Sequence, residues 1–343
     1  MLLIPSAAFA LLRLVGHPEW LENYTLNLPF LRPTLVILVL PLVLYLGYRI
    51  SQLPDWEWLL LPPVHVLAIG LPILWLVYLG RRGISTGSGQ QTWGVLGSGL
   101  VISPLLIMLA EIAALALFLA LGVLYLLKRP ELLQDLSNLA QRLAQAPPNP
   151  EIYQRILEPW LAQPVVLYAA FIFIAILVPL IEEALKPIGV WLLAGRDLSP
   201  STGFAVGLLS GAGFALFESL AFTSNANDWA LVAGARIGTG VIHIVTAGLT
   251  GWALASAWRH GSYLRLGVTY LTAVLLHALW NGLTLLATGS QLAGTGLGGN
   301  DFLSNLAHIA PLGLGVLTVA GFILLLGANH RLRRQAELTH VES

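Results

Sequence analysis

Cysteine is absent from the 343 residues, and charge is scarce: 17 Lys and Arg against 17 Asp and Glu make up 10% of the chain. Without a thiol there can be no disulfide, no thiolate metal site and no cysteine nucleophile. A net charge of zero leaves no basic face for nucleic acid. A soluble domain carries roughly 25% charged residues, so an ordinary water-soluble fold is excluded as well. Also missing is H-E-x-x-H, the strongest sequence sign of a zinc peptidase. No internal repeat is visible, which speaks against the duplicated halves of many transporters.

What the chain has instead is apolar length. It is 57% hydrophobic, with a mean hydropathy of +0.79. A membrane helix needs about 20 mostly apolar residues. Eight stretches qualify: Leu31–Tyr48, Trp56–Leu79, Val95–Leu127, Val165–Ala194, Gly203–Phe222, Ala230–Trp258, Leu266–Ala287 and Leu306–Gly327. The first is short and contains Pro41. The fold class is therefore all-α, a polytopic membrane protein of about eight transmembrane helices embedded in a lipid bilayer. The opening MLLIPSAAFALLRLVG has no basic leader and reads as an interfacial helix or part of the fold, not a removed signal peptide.

Arginines collect at Arg81/Arg82, Arg196, Arg259/Arg265 and Arg331/Arg333/Arg334, whereas Asn225–Trp229 and Ser290–Asn305 have no Lys or Arg. By the positive-inside rule both termini face the cytoplasm. The longest connector, residues 128–164, then lies outside; its four basic and four acidic residues favour neither side. Leu132, Leu133, Leu136, Leu139 and Leu143 follow helical spacing, and Pro147–Pro150 ends that pattern. Ile152, Ile156, Trp160 and Leu161 mark a second amphipathic piece. Such a pair is a packed connector or a lateral gate, and connection is the commoner role. Three regions follow: residues 1–164, N-terminal membrane helices with the amphipathic loop at 128–164; residues 165–287, a four-helix core; and residues 288–343, a last membrane helix with a basic tail.

Ionisable side chains in mid-membrane cost at least ~2.5–3.5 kcal/mol each, so they are rare and usually functional. Here they concentrate in spans four to seven: Glu182, Glu183 and Lys186; Glu218; Arg236 and His243; His277, with Asn281; Glu111 in the third span and His65 in the second stand apart from them. At 1.5 Å per residue, Glu182 lies about 18 Å and Glu218 about 22 Å from the arginine-flanked ends of their spans. The corresponding depths are about 22 Å for His243 and about 17 Å for His277. Helices that alternate in direction thus bring these groups to one level. Lys186 is i+4 from Glu182 and i+3 from Glu183, so it can neutralise only one of them well. His277 and Asn281 share a face, as do Arg236 and His243. Pro179 and Pro187 flank the glutamate pair and should bend that helix.

Two histidines and a carboxylate can hold a divalent metal, and zinc suits the ligand types. Glu218, His243 and His277 form one such set. Glu182 or Glu183 would then act as base on a bound water, and Asn281 would steady an oxyanion. A metal-free variant, in which a buried glutamate activates water directly, uses the same residues. Arg236 balances a carboxylate. Taken singly, each group has a structural explanation as a buried ion pair or interhelical hydrogen bond; gathered at one depth, they favour a site.

Glu182-Glu183-x-x-Lys186, Phe214-x-x-x-Glu218, His243 and His277-x-x-x-Asn281 together resemble the PrsW family of intramembrane proteases. That family sits in a wider glutamate-dependent group with the type II CAAX prenyl endopeptidases and the Abi immunity proteins. The prenyl endopeptidases usually show F-x-x-x-H and an arginine after the glutamates, so Glu218 and Lys186 point to the PrsW branch. Ser219 stands where PrsW-like chains often have asparagine. The resemblance implies a membrane-embedded metalloendopeptidase of a bacterial plasma membrane, acting on a membrane-protein partner such as a single-span protein. It also implies that Phe214 and Lys186 support the site, beside the supporting role that its charge gives Arg236. Two other readings use the same polar cluster: a proton- or ion-coupled transporter, or a non-catalytic receptor or immunity protein.

Overall fold

The computed structural model describes residues 3–15, 33–161, 163–221, 228–292 and 301–341. Three of the five residues Asn225–Trp229 and half of Ser290–Asn305, used above to orient the chain, lie outside them. The described residues contain no strand. Among them thirteen α-helices follow one another: α1 (Leu3–Val15), α2 (Pro33–Ser51), α3 (Glu57–Gly80), α4 (Gly89–Leu126), α5 (Pro130–Gln145), α6 (Pro150–Leu161), α7 (Pro164–Ile172), α8 (Val178–Leu185), α9 (Ile188–Trp191), α10 (Pro200–Ala221), α11 (Trp229–His260), α12 (Tyr263–Leu292) and α13 (Asp301–Val341). A single π-helical turn, Phe173–Leu177, joins α7 to α8.

Seven helical stretches among the described residues are long and apolar enough to cross a membrane: Glu57–Gly80, Gly89–Leu126, Pro164–Trp191, Pro200–Ala221, Trp229–His260, Tyr263–Thr288 and Asn305–Gln335. The chain is an integral, multi-pass membrane protein. The expected first span is helical as α2, but its described apolar stretch is the shorter Leu35–Ser51.

The helices divide into two compact units. The first comprises Met1–Ile107, Glu182–His277 and Gly315–Ser343. Its centre is α10, in which 78% of the most apolar window is buried, against 6% for α4. Composition explains this: α10 has glycine at positions 203, 207, 211 and 213, and small residues let membrane helices approach closely. A Cβ on Gly211 would lie 2.5 Å from Ala247 Cβ and 2.8 Å from the His243 carbonyl of α11. On the opposite side, a Cβ on Gly213 would meet Leu100 N of α4 at 2.6 Å. Phe204, Leu208, Leu209 and Leu216 of α10 pack with Ile73 and Leu76 of α3, Leu96 of α4 and Ile244 of α11. Asn329 of α13 satisfies the end of α3, donating to the carbonyls of Gly80 at 2.8 Å and Arg82 at 2.9 Å.

The second unit comprises Met108–Ile181 and Ala278–Leu314. The two amphipathic pieces expected in the long connector are α5 and α6. Pro130 and Pro150 open them, where a missing N–H costs nothing. Asn149 precedes α6, and its Oδ1 accepts the Glu151 N–H at 2.8 Å. Within this unit Phe118 of α4 packs on Phe173 at a centroid distance of 5.5 Å.

Candidate active site

The segment carrying the glutamate pair is interrupted on both sides, each time at a proline. Val178 N–H bonds to Phe173 O, five residues back, which defines the π turn. Ile174 O would next accept from residue 179, but Pro179 has no N–H. Asn281 fills the gap: its Nδ2 donates to Ile174 O at 3.0 Å.

Beyond the pair, Lys186 N–H closes a last bond to Glu182 O at 2.7 Å, and Pro187 ends the ladder. Side chains take up the released carbonyls. Ser103 Oγ donates to Leu185 O at 3.2 Å, Ser210 Oγ to Lys186 O at 2.6 Å and Trp191 Nε1 to Ala184 O at 2.9 Å. Gly189 N–H donates in turn to Ser210 Oγ at 3.1 Å. The break is thus held in one geometry. Sequence reading missed Ser103 and Ser210, although a buried hydroxyl in an apolar helix must find an acceptor and could have been questioned on that ground.

Glu182, Glu183 and Lys186 meet His243 of α11 and His277 of α12 inside the first unit. Lys186 Nζ lies 2.9 Å from Glu182 Oε2, 2.8 Å from Glu183 Oε1, 2.6 Å from His243 Nδ1 and 3.1 Å from His277 Nδ1. The imidazoles stand edge to face, with centroids 5.0 Å apart at 87°. Phe214 of α10 packs edge-on against His243 at 5.2 Å, and its ring centroid lies 5.0 Å from Lys186 Nζ.

Each histidine has one nitrogen on a carboxylate. His243 Nε2 lies 2.6 Å from Glu218 Oε2, and His277 Nδ1 lies 2.9 Å from Glu183 Oε1. With those nitrogens protonated and donating, the free lone pairs are on His243 Nδ1 and His277 Nε2. His277 Nε2 is 3.8 Å from Glu182 Oε2. Donor atoms of Glu182, His243 and His277 all lie within 4.8 Å of one another. Carboxylate-backed histidines of this kind are the usual surroundings of a bound metal. Glu183 Oε2 is buried without a hydrogen-bond partner, and Glu182 Oε2, though close to Lys186, makes no directional hydrogen bond. Two carboxylates share one lysine here, so the buried group keeps one negative charge unless a further cation or proton enters. The donor types and the unsatisfied oxygens fit a divalent cation.

The carboxylate that converges with both histidines is Glu182, whereas the set read from sequence used Glu218. Glu218 instead bridges His243 to Arg236, whose Nη2 is 2.8 Å from Glu218 Oε1. Arg236 Nε donates to Ser219 Oγ at 3.1 Å, so Ser219 helps to aim the guanidinium. Phe214 and Glu218, four apart on α10, both touch His243, which gives the F-x-x-x-E spacing a physical reason. Asn281 belongs to the second unit, on Ile174. Of the remaining polar residues in the spans, His65 Nδ1 accepts the Trp229 indole N–H at 3.1 Å, Glu111 lies in the second unit, and His308 is exposed.

Comparison with known proteins adds one finding. Residues 150–311 match the family described as PrsW family intramembrane metalloprotease. The match covers just under half of the chain and contains every motif of the resemblance, from Glu182 to Asn281. No curated protein and no solved structure matches the chain. The similarity of this region to the PrsW family supports a membrane protease, hence a membrane-protein substrate, and the family's description as metalloproteases agrees with the buried Glu182–His243–His277 group.

Proposed function

We propose that the chain is an intramembrane endopeptidase in which Glu182 takes the proton of the attacking water. The supporting observation is the convergence of Glu182, His243 and His277 donor atoms within 4.8 Å in a buried cluster. Glu182 is preferred over Glu183 on access: it is 8% exposed and Glu183 is 0% exposed. Glu183 is also engaged by both Lys186 and His277. A divalent cation held by His243, His277 and one oxygen of Glu182, zinc by ligand preference, would polarise the scissile carbonyl and ease deprotonation of water near neutral pH, with the second Glu182 oxygen taking the proton.

The other residues orient and neutralise. Glu183 holds His277, and Glu218, steadied by Arg236 and Ser219, holds His243. Phe214 closes one side of the cluster and limits water. Asn281 uses one amide hydrogen on Ile174 and keeps the second for the oxyanion formed as water adds to the peptide carbonyl. Proton transfer from Glu182 to the departing amine completes hydrolysis. The substrate class is a membrane protein, a single-span chain being the simplest; the arginine distribution favours both termini in the cytoplasm, and the family resemblance favours a bacterial plasma membrane.

The test is cleavage of a transmembrane reporter in proteoliposomes. Glu182→Gln, His243→Ala and His277→Ala should each abolish cutting while the protein inserts and purifies normally. Undiminished cutting by all three would end this reading. Flux of protons or ions without cleavage would point to a transporter instead.

A further inference from the structure

We propose that the Lys186 ammonium occupies the cation position of the donor set and must withdraw from His243 and Glu182 before a divalent cation can be held there. The proposal rests on the metal-binding reading above and concerns what that binding displaces.

An imidazole has a single lone pair in the plane of its ring. His243 Nε2 is committed as donor to Glu218, so the lone pair is on Nδ1, and Lys186 Nζ already uses it at 2.6 Å. A metal and an ammonium cannot share that pair. Lysine has three N–H donors and no acceptor. His277 Nδ1 donates to Glu183, which leaves three groups facing Nζ: Glu183 and His243 as hydrogen-bond acceptors and Glu182 as an ion-pair partner. Two of those three are members of the metal-binding group. Coulomb repulsion adds to the conflict, because a dication at the donors would sit within a few ångströms of Nζ.

Lys186 therefore has two states. In one it neutralises the paired carboxylates and keeps the histidines assembled. In the other it retains Glu183, three residues back on its own helix, and releases His243 and Glu182. Glu183 continues to orient His277 in both. Among the described residues of the cluster no other group supplies a permanent positive charge to the glutamate pair, since Arg236 is engaged by Glu218 and Ser219. The lysine thus sets a threshold that a cation must exceed, and it guards the site against weakly bound ions.

The chain makes this measurable, because it contains only two lysines, Lys128 and Lys186. Full-length protein labelled with 13Cε-lysine and held in detergent should give two signals. Zinc titration should move the Lys186 signal and leave Lys128 in place. In parallel, Lys186→Met should bind zinc about tenfold more tightly or better, because a charge-assisted hydrogen bond no longer competes. His243→Ala should remove the binding in both backgrounds. Zinc binding to the unaltered chain with a stationary Lys186 signal would overturn the proposal and leave the metal reading standing, as would a Met variant that binds no more tightly. Binding by the Met variant alone would support the competition and remove the cation from the natural chain's mechanism. No binding by either would sink both readings. If Lys186→Met fails to fold, the labelled natural chain decides alone.

Discussion

Replacing Glu218 with Gln separates a residue that orients a histidine from one that binds metal. Glu218 Oε2 accepts from His243 Nε2 at 2.6 Å, and Oε1 faces Arg236 Nη2 at 2.8 Å. Both are charge-assisted contacts, the stronger kind of hydrogen bond. Glutamine keeps the shape but offers one oxygen to two donors. Whichever donor it serves, the other faces an amide NH2. The side chain is 31% exposed, so solvent screens part of the loss. Losing an outer partner of a ligating histidine typically costs about 10–100-fold in metal affinity or activity. That range corresponds to about 1.4–2.8 kcal/mol.

Glu218→Gln should therefore still bind one zinc, about 10–100-fold more weakly, and cut the reporter at a rate reduced by a similar factor. Zinc affinity measured by competition with a chelator, beside reporter cleavage, gives both numbers. Glu182→Gln and His243→Ala are the comparison, and neither should retain activity. Loss of all zinc in Glu218→Gln would refute the orienting role and restore the ligand set Glu218–His243–His277 suggested by sequence. Unchanged affinity and rate would refute it from the other side.

Three further perturbations test the frame around the cluster. Gly211→Leu drives a side chain into the His243 carbonyl and should destabilise by about 1–3 kcal/mol with loss of cutting; Gly234→Ala, where an added Cβ meets nothing within 4 Å, should leave the melting temperature unchanged or slightly raised. Ser210→Ala strips the Lys186 carbonyl of its donor and the Gly189 N–H of its acceptor, and thermal unfolding should show a cost of about 1–3 kcal/mol. Asn281→Ala should lower stability by exposing the Ile174 carbonyl and, through the oxyanion role, lower kcat by about 10²–10³-fold; lower stability with an unchanged rate would confine Asn281 to the π turn.

The sequence displayed whatever depends on one helix at a time. Apolar runs located the spans because a bilayer demands about 20 such residues per crossing. The Glu182/Glu183/Lys186 spacing and the Phe214/Glu218 spacing were visible as faces of single helices. Matched depth brought His243 and His277 toward the glutamates because rise per residue is fixed in any α-helix. Rotation about the helix axes could not be read, and it decides which carboxylate meets which imidazole nitrogen. Glu218 and Glu182 lie at similar depths, so depth alone could not assign one to Arg236 and His243 Nε2 and the other to the histidine pair. The close approach of α10 and α11 resolves the choice. Gly211 brings the two backbones together beside His243, and with that contact made Phe214 and Glu218 meet the ring from α10.

The prolines show the same boundary between local and tertiary information. From sequence, Pro179 and Pro187 predict a disturbed helix around the glutamate pair, because each removes one N–H. They do not predict how the freed carbonyls are satisfied. At the first break the chain widens by one π turn and Asn281 donates to Ile174; at the second, Ser103, Ser210 and Trp191 supply the donors. An unsatisfied carbonyl in a membrane interior costs several kcal/mol, so these donors are a condition for the segment's existence and not an ornament to it. The short helix between the two breaks carries Glu182 and Glu183, and its end carries Lys186. Its rigidity therefore comes from side chains outside itself, and a serine that touches no substrate can govern the chemistry through the glutamates it holds in place.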